Sequence, residues 1–216
     1  MSTLFWILKI ILVGAVASAE PTEFDVNTSS LRFRPTSCEE FEEDSYFAPQ
    51  DVVDSLWKIF YFWAKGMEIS TILFSLPSEK KVNTFKGIVE SIKPDIEVNW
   101  KNSALFMEPR PGVQVLLVSK GRVGAFLAVV KNEDSDKDPL LRKPHVHLTE
   151  VRMKIVGRYM AVINCDDRTA FTMARVAEMP STNKACVMAA ASFGLDTQHG
   201  KCYLSVQDLH HIIDEL

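Results

Sequence analysis

The 216-residue sequence has few glycines (nine) and few cysteines (four), and no surplus of one charge: 28 acidic side chains face 24 basic ones, net −4. Such a mixed, glycine-poor composition excludes a collagen-like or low-complexity chain, and 47% apolar residues exclude disorder. The missing basic surplus argues against nucleic acid as a partner, since a protein that binds phosphate backbones gathers Lys and Arg on one face. No apolar run reaches the roughly 20 residues of a membrane-spanning helix. Catalytic and metal signatures are missing too: there is no G-x-S-x-G elbow, H-E-x-x-H pair, glycine-rich loop after a strand or calcium-loop pattern. Nor do two cysteines lie two to four residues apart, as zinc sites usually require.

What is present begins with an export-like leader. Leu4 to Val16 is apolar apart from Lys9, and Ala17-Ser18-Ala19 supplies the small residues a signal peptidase reads, so 1–19 is expected to be removed and the product secreted and extracellular. In that oxidising setting Cys38, Cys165, Cys186 and Cys202 favour two disulfides, with three connectivities open. Asn27-Thr28-Ser29 is a glycosylation sequon, placing Asn27 in a polar stretch. Residues 20–50, acidic and punctuated by Pro21, Pro35 and Pro49, read as an extended arm. Residues 51–216 then form one domain with a tail.

Short apolar runs rich in β-branched and aromatic residues recur, each closed by Pro, Gly, Asn or Asp. They predict strands at 56–64, 69–76, 95–100, 104–108, 113–119, 123–131, 145–156, 159–165 and 169–176. Many strands with short connections point to a sandwich or closed barrel. Residues 78–93 stay open between helix and strand: Val82, Phe85, Val89 and Ile92 make a helical stripe, with Pro94 as a stop. The alanine-rich run from Thr182 to Phe193 predicts helix, as does Ser205 to Leu216, with Ser205 as its cap. His145 and His147 alternate on one strand face and could share a polar ligand or a metal. Asp134, Asp136 and Asp138 read as a solvated hairpin tip, and His210-His211 as an exposed helix face. The terminal Ile213-Asp214-Glu215-Leu216 shares three letters with a retrieval signal but has Ile where Lys or His is usual.

Three ordered features resemble the lipocalin family, in particular its insect bilin-binding branch. Ser55-Leu56-Trp57 stands where lipocalins carry G-x-W on the first strand. Gly157-Arg158-Tyr159 resembles their N/D-x-Y motif on a late strand that runs on to Cys165, and Arg175 closes Phe171-Thr172-Met173-Ala174-Arg175 as the family's Arg closes the last barrel strand. Ser55 replaces the glycine and Arg158 the acidic residue, so the chain resembles an outlying member.

The resemblance implies an all-β fold, an eight-stranded antiparallel up-and-down barrel with an α-helical C-terminal segment. It implies a Cys38–Cys165 bridge and, with it, a local Cys186–Cys202 clip. It also implies that Arg175 covers Trp57 at the closed end of the barrel, a cation over an aromatic face that acts structurally. If Trp57 faces inward, alternation puts Ile59, Tyr61 and Trp63 on the same wall, with Ile96, Val98 and Trp100 in a second row and Tyr159, Ala161 and Ile163 in a third. A bulge in the first strand would reverse that parity. Tyr61, Trp63, Val98, Trp100, His145, His147 and Tyr159 are the expected ligand-binding residues. The expected function is a secreted, non-enzymatic carrier of one small hydrophobic molecule. A tetrapyrrole such as biliverdin or chlorophyllide is favoured by the resemblance, ahead of retinoid, carotenoid or fatty acid. The alternative is a secreted interaction protein whose barrel is filled and which acts through its surface. An isomerase of the lipocalin kind would need a reactive cysteine inside the barrel.

Overall fold

The computed structural model describes residues 37–63, 70–132, 145–195 and 200–204. The expected leader, the Asn27 sequon, the Asp134 to Asp138 tip, the helix after Ser205, His210-His211 and the terminal tetrapeptide lie outside these described residues.

Eight strands make the body of the molecule: β1 (Leu56–Phe62), β2 (Thr71–Ser75), β3 (Ser103–Arg110), β4 (Val113–Ser119), β5 (Ala125–Asn132), β6 (His145–Val156), β7 (Tyr159–Asn164) and β8 (Ala170–Arg175). Each pairs antiparallel with the next, and β1 pairs with both β8 and β2, so the sheet closes into an up-and-down barrel. Closure removes the edges an open sheet would expose. β2 covers only the first half of β1; the short β9 (Lys201–Cys202) pairs with Tyr61 and Phe62 along the second half. Gly200 leads into β9 against the Tyr61 ring, with no room there for a Cβ. The β6–β7 hairpin turns through Gly157-Arg158, and Gly157 takes a φ of +60° at the first central position, where type II′ turns place glycine.

Among the described residues three α-helices lie on the outside. α1 (Cys38–Glu42) is a single turn in the arm expected to be extended. Ser37 and Glu40 close a reciprocal capping box there, a local signal that outweighs the missing periodicity. α2 (Glu79–Ile92) settles the open segment as helix: the Ser78 hydroxyl accepts from the Lys81 amide, and Phe85 and Val89 are buried. α3 (Asn183–Ala191) follows the barrel, capped by Thr182, with Cys186, Ala189 and Ala190 buried. The expected strand at 95–100 does not form. Pro94 ends α2, and the chain crosses to β3 through an irregular stretch and a 3₁₀ turn at Trp100–Asn102.

These helices explain why the strands lack clean alternation. In β4, Val115 and Leu117 belong to the interior cluster, whereas Leu116 and Val118 are buried on the outer face under α2 with Phe85, Val89 and Phe106. α3 covers Phe60, Tyr61 and Ala174, and α1 sets Phe41 against Ala161, Ile163 and Ala170.

Disulfides tie two of these covers down. Cys38–Cys165 joins α1 to the end of β7 across 127 positions, and Cys186–Cys202 joins α3 to β9 across 16. Around α1 an ion-pair chain completes the attachment: Glu42 pairs with Arg152, whose side chain is 4% exposed, and with Arg122 at 2.9 Å. Glu150 bridges Arg152 (3.2 Å) and Lys120. The Lys120 ammonium, aided by Arg152, holds the Glu150 carboxyl below the usual carboxylate range. Among the described residues no helix is long and apolar enough to cross a membrane.

Candidate functional site

The barrel interior is closed at one end. Trp57 is 1% exposed, donates from Nε1 to the Val52 carbonyl at 2.9 Å, and lies under the Arg175 guanidinium, 4.9 Å from the ring centre. Arg175 is itself held by the Asp51 carbonyl (2.8 Å) and Glu178 (3.3 Å). Such a cation–π contact contributes about 0.5–2 kcal/mol. Phe47 and Val52 fill in beside them, Phe47 meeting Phe126 edge to face at 5.4 Å.

Beyond this floor lies a cavity of ≈170 Å³. Phe74, Met107, Val115, Leu117, Ala128, Val130, Val151, Met153, Val162 and Phe171 form its apolar wall, and Thr149, Asn164 and Thr169 its polar end. Among the described residues no charged side chain lines it. The polar end is built from the β7–β8 turn. Asn164 Oδ1 accepts from the Thr149 hydroxyl at 2.7 Å and from the Asp166 amide at 3.0 Å, with the Asp167 amide at 3.5 Å. Thr169 is pinned through its amide and hydroxyl to Asp167 Oδ1, at 2.9 and 2.6 Å.

None of the seven expected ligand-binding residues is among those that line the cavity. The β1–β8 register shifts between Ile59 and Tyr61. Trp57, Ile59 and Phe62 therefore face the interior, while Tyr61 turns outward beneath α3 with its ring 4.7 Å from that of Trp63. This bulge is the one-residue slip that exchanges the two faces of a strand. Tyr159, Ala161 and Ile163 belong to the outer face as well: Tyr159 packs on Phe60 at 5.4 Å, and β7 turns Met160, Val162 and Asn164 inward instead. Val98 and Trp100, outside any strand, pack on the outer surface beside α2. Ile96, Val98 and Trp100 line a shallow groove there with Lys86, Glu90, Pro94, Glu97 and Asn99. His145 and His147 do share a face, the one that carries Thr149, Val151 and Met153, but both are exposed beyond the cavity wall. Among the described residues no three His, Cys, Asp or Glu side chains gather to hold a metal.

The cavity residues that sequence reading missed, Thr149, Asn164 and Phe171 among them, carried one usable signal. Asn164 is in phase with Met160 and Val162, and Thr149 with Val151 and Met153. Choosing that phase required knowing which face of each strand the helices cover. The fold and cavity thus define a closed eight-stranded barrel with a small neutral interior site, sealed by Trp57 and Arg175 and polar at the other end. No protein-family model, curated protein or solved structure matches the chain.

Proposed function

We propose that the protein is a secreted, lipocalin-like carrier that holds one small hydrophobic molecule non-covalently inside its barrel. The observation that carries this reading is the ≈170 Å³ cavity, walled by ten apolar side chains and, among the described residues, by no charged one. A well-packed interior leaves few voids larger than a water molecule, and a dry apolar cavity of about 150 Å³ is large enough to bind benzene. Two disulfides fit an extracellular setting. With all four cysteines paired, the isomerase alternative has no thiol to use.

Volume narrows the ligand. A linear tetrapyrrole has four rings, whereas this cavity suits one ring and its substituents, so the reading moves from biliverdin or chlorophyllide toward single-ring apolar compounds. A fatty acid would also need a partner for its carboxylate, and burying one unpaired is costly. The test is calorimetric titration of the oxidised, secreted protein with toluene, a medium-chain fatty acid, retinol and biliverdin. Saturable one-to-one binding of toluene, with biliverdin unbound, is the expected result. Failure of all four to bind would overturn the carrier reading in favour of a surface-acting protein.

A further inference from the structure

Resting on the carrier reading above, we propose that the physiological ligand is an apolar ring bearing a hydrogen-bond acceptor, a ketone, aldehyde, ester or ether oxygen, which the side-chain amide of Asn164 receives. The argument starts from the saturation of one half of that carboxamide. Two backbone amides and the Thr149 hydroxyl converge on one atom of Asn164, and since backbone amides only donate, that atom is the oxygen. The Asn164 NH₂ group is thereby fixed as the other branch, with its two donors used by no hydrogen bond within the described residues.

Asn164 stands on the inward phase of β7, opposite Val151 and next to Val162, and it lines the cavity. Its orientation does not depend on a ligand, because the β7–β8 turn and Thr149, itself 5% exposed, hold the oxygen in place. A donor held in advance at the polar end of an otherwise apolar chamber is how small-molecule sites fix a ligand's orientation. It also weakens the binding of an analogue lacking the acceptor, which would leave the amide facing hydrocarbon. The wall of Phe74, Val115, Leu117, Met153 and Phe171 takes the ring. With no charged group among the described lining residues, the acceptor this lining fits is a neutral oxygen.

Acetophenone and α-methylstyrene test this, because they differ only in C=O against C=CH₂. Affinities are measured by calorimetry for the wild-type protein and for Asn164→Asp, which keeps the oxygen that the turn and Thr149 need and removes the donor. The ratio of acetophenone to α-methylstyrene affinity is expected to fall about two- to tenfold in the variant, the range of one neutral hydrogen bond. Comparing ratios cancels the different partition of the two compounds from water. An unchanged ratio, or failure of both compounds to bind wild-type protein that binds toluene, would overturn the proposal while leaving the carrier reading standing; failure of toluene, the fatty acid, retinol and biliverdin as well would overturn the carrier reading itself. Should Asn164→Asp not fold, the nitrogen-15 signals of the wild-type Asn164 side-chain amide decide. They are expected to shift on saturation with acetophenone and not with α-methylstyrene, and equal response to the two compounds would refute the inference.

Discussion

Ala128 offers the sharpest test of whether the interior is a binding cavity or a packed core. It sits on β5 with its side chain in the cavity wall, 3% exposed. Ala128→Leu adds three carbon groups; taking each at about 30 Å³, the share of one water in the liquid, they occupy roughly 90 of the ≈170 Å³. At about 24 cal/mol per Å³ of cavity removed, filling that space stabilises by at most about 2 kcal/mol. Imperfect fit of the leucine rotamer takes back part of this, so a net gain of about 1 kcal/mol is expected. For a chain of this size that raises Tm by roughly 2–4 °C. The same substitution removes the room for a ring, so toluene binding should weaken at least tenfold. Thermal unfolding and calorimetric titration of the same sample read the two effects together. If the space is already filled, leucine would overpack it and destabilise by about 1–3 kcal/mol, which would refute the cavity. Unchanged toluene affinity with raised stability would place the ligand outside the barrel.

The two disulfides should differ in their effect. In the chain-entropy model the loop of 127 positions is worth about 5 kcal/mol and that of 16 about 3. Urea unfolding of the paired variants Cys38→Ala/Cys165→Ala and Cys186→Ala/Cys202→Ala should therefore rank them in that order, and the reverse order would contradict a mainly entropic origin. Arg175→Gln removes the cation above Trp57 and its bond to Asp51, and is expected to cost about 1–3 kcal/mol of stability without changing the affinity of the distant polar end for acetophenone, checked by urea unfolding and calorimetry. Glu150 has its carboxyl pKa depressed by Lys120 and Arg152, so its contribution to stability is present above the unfolded value near 4.5 and is lost as pH falls through the lower folded value. Glu150→Gln should flatten the acid limb of the stability profile below pH 4.5; an unaltered limb would show that the bridge contributes nothing there.

Strand positions were legible because turn chemistry is local: Pro111-Gly112 and Gly157-Arg158 each end one apolar run and begin another. The helix at Glu79–Ile92 was half legible, since its stripe also contains the exposed Ile92 and the apolar residues that follow Pro94 look like a strand. The capping box of α1 was written in Ser37 and Glu40, but a one-turn helix has no periodicity to reveal it.

The binding site was largely hidden. In Leu56–Phe62 only Lys58 breaks the apolar run, and it marks the phase of Trp57, Ile59 and Tyr61 as the inner one, so nothing local shows that the bulge turns Tyr61 outward. By itself the sequence determined the eight barrel strands, most of their boundaries and the residues that cap and punctuate them, because each depends on neighbours a few positions away. Tertiary structure alone decided which phase of each strand faces inward, and whether the enclosed space is filled. Helices cover the outer face, so both phases are apolar, and one bulge exchanges the faces of β1. The cavity itself is the difference between the volume that strand tilt and stagger enclose and the volume of the side chains that happen to point into it.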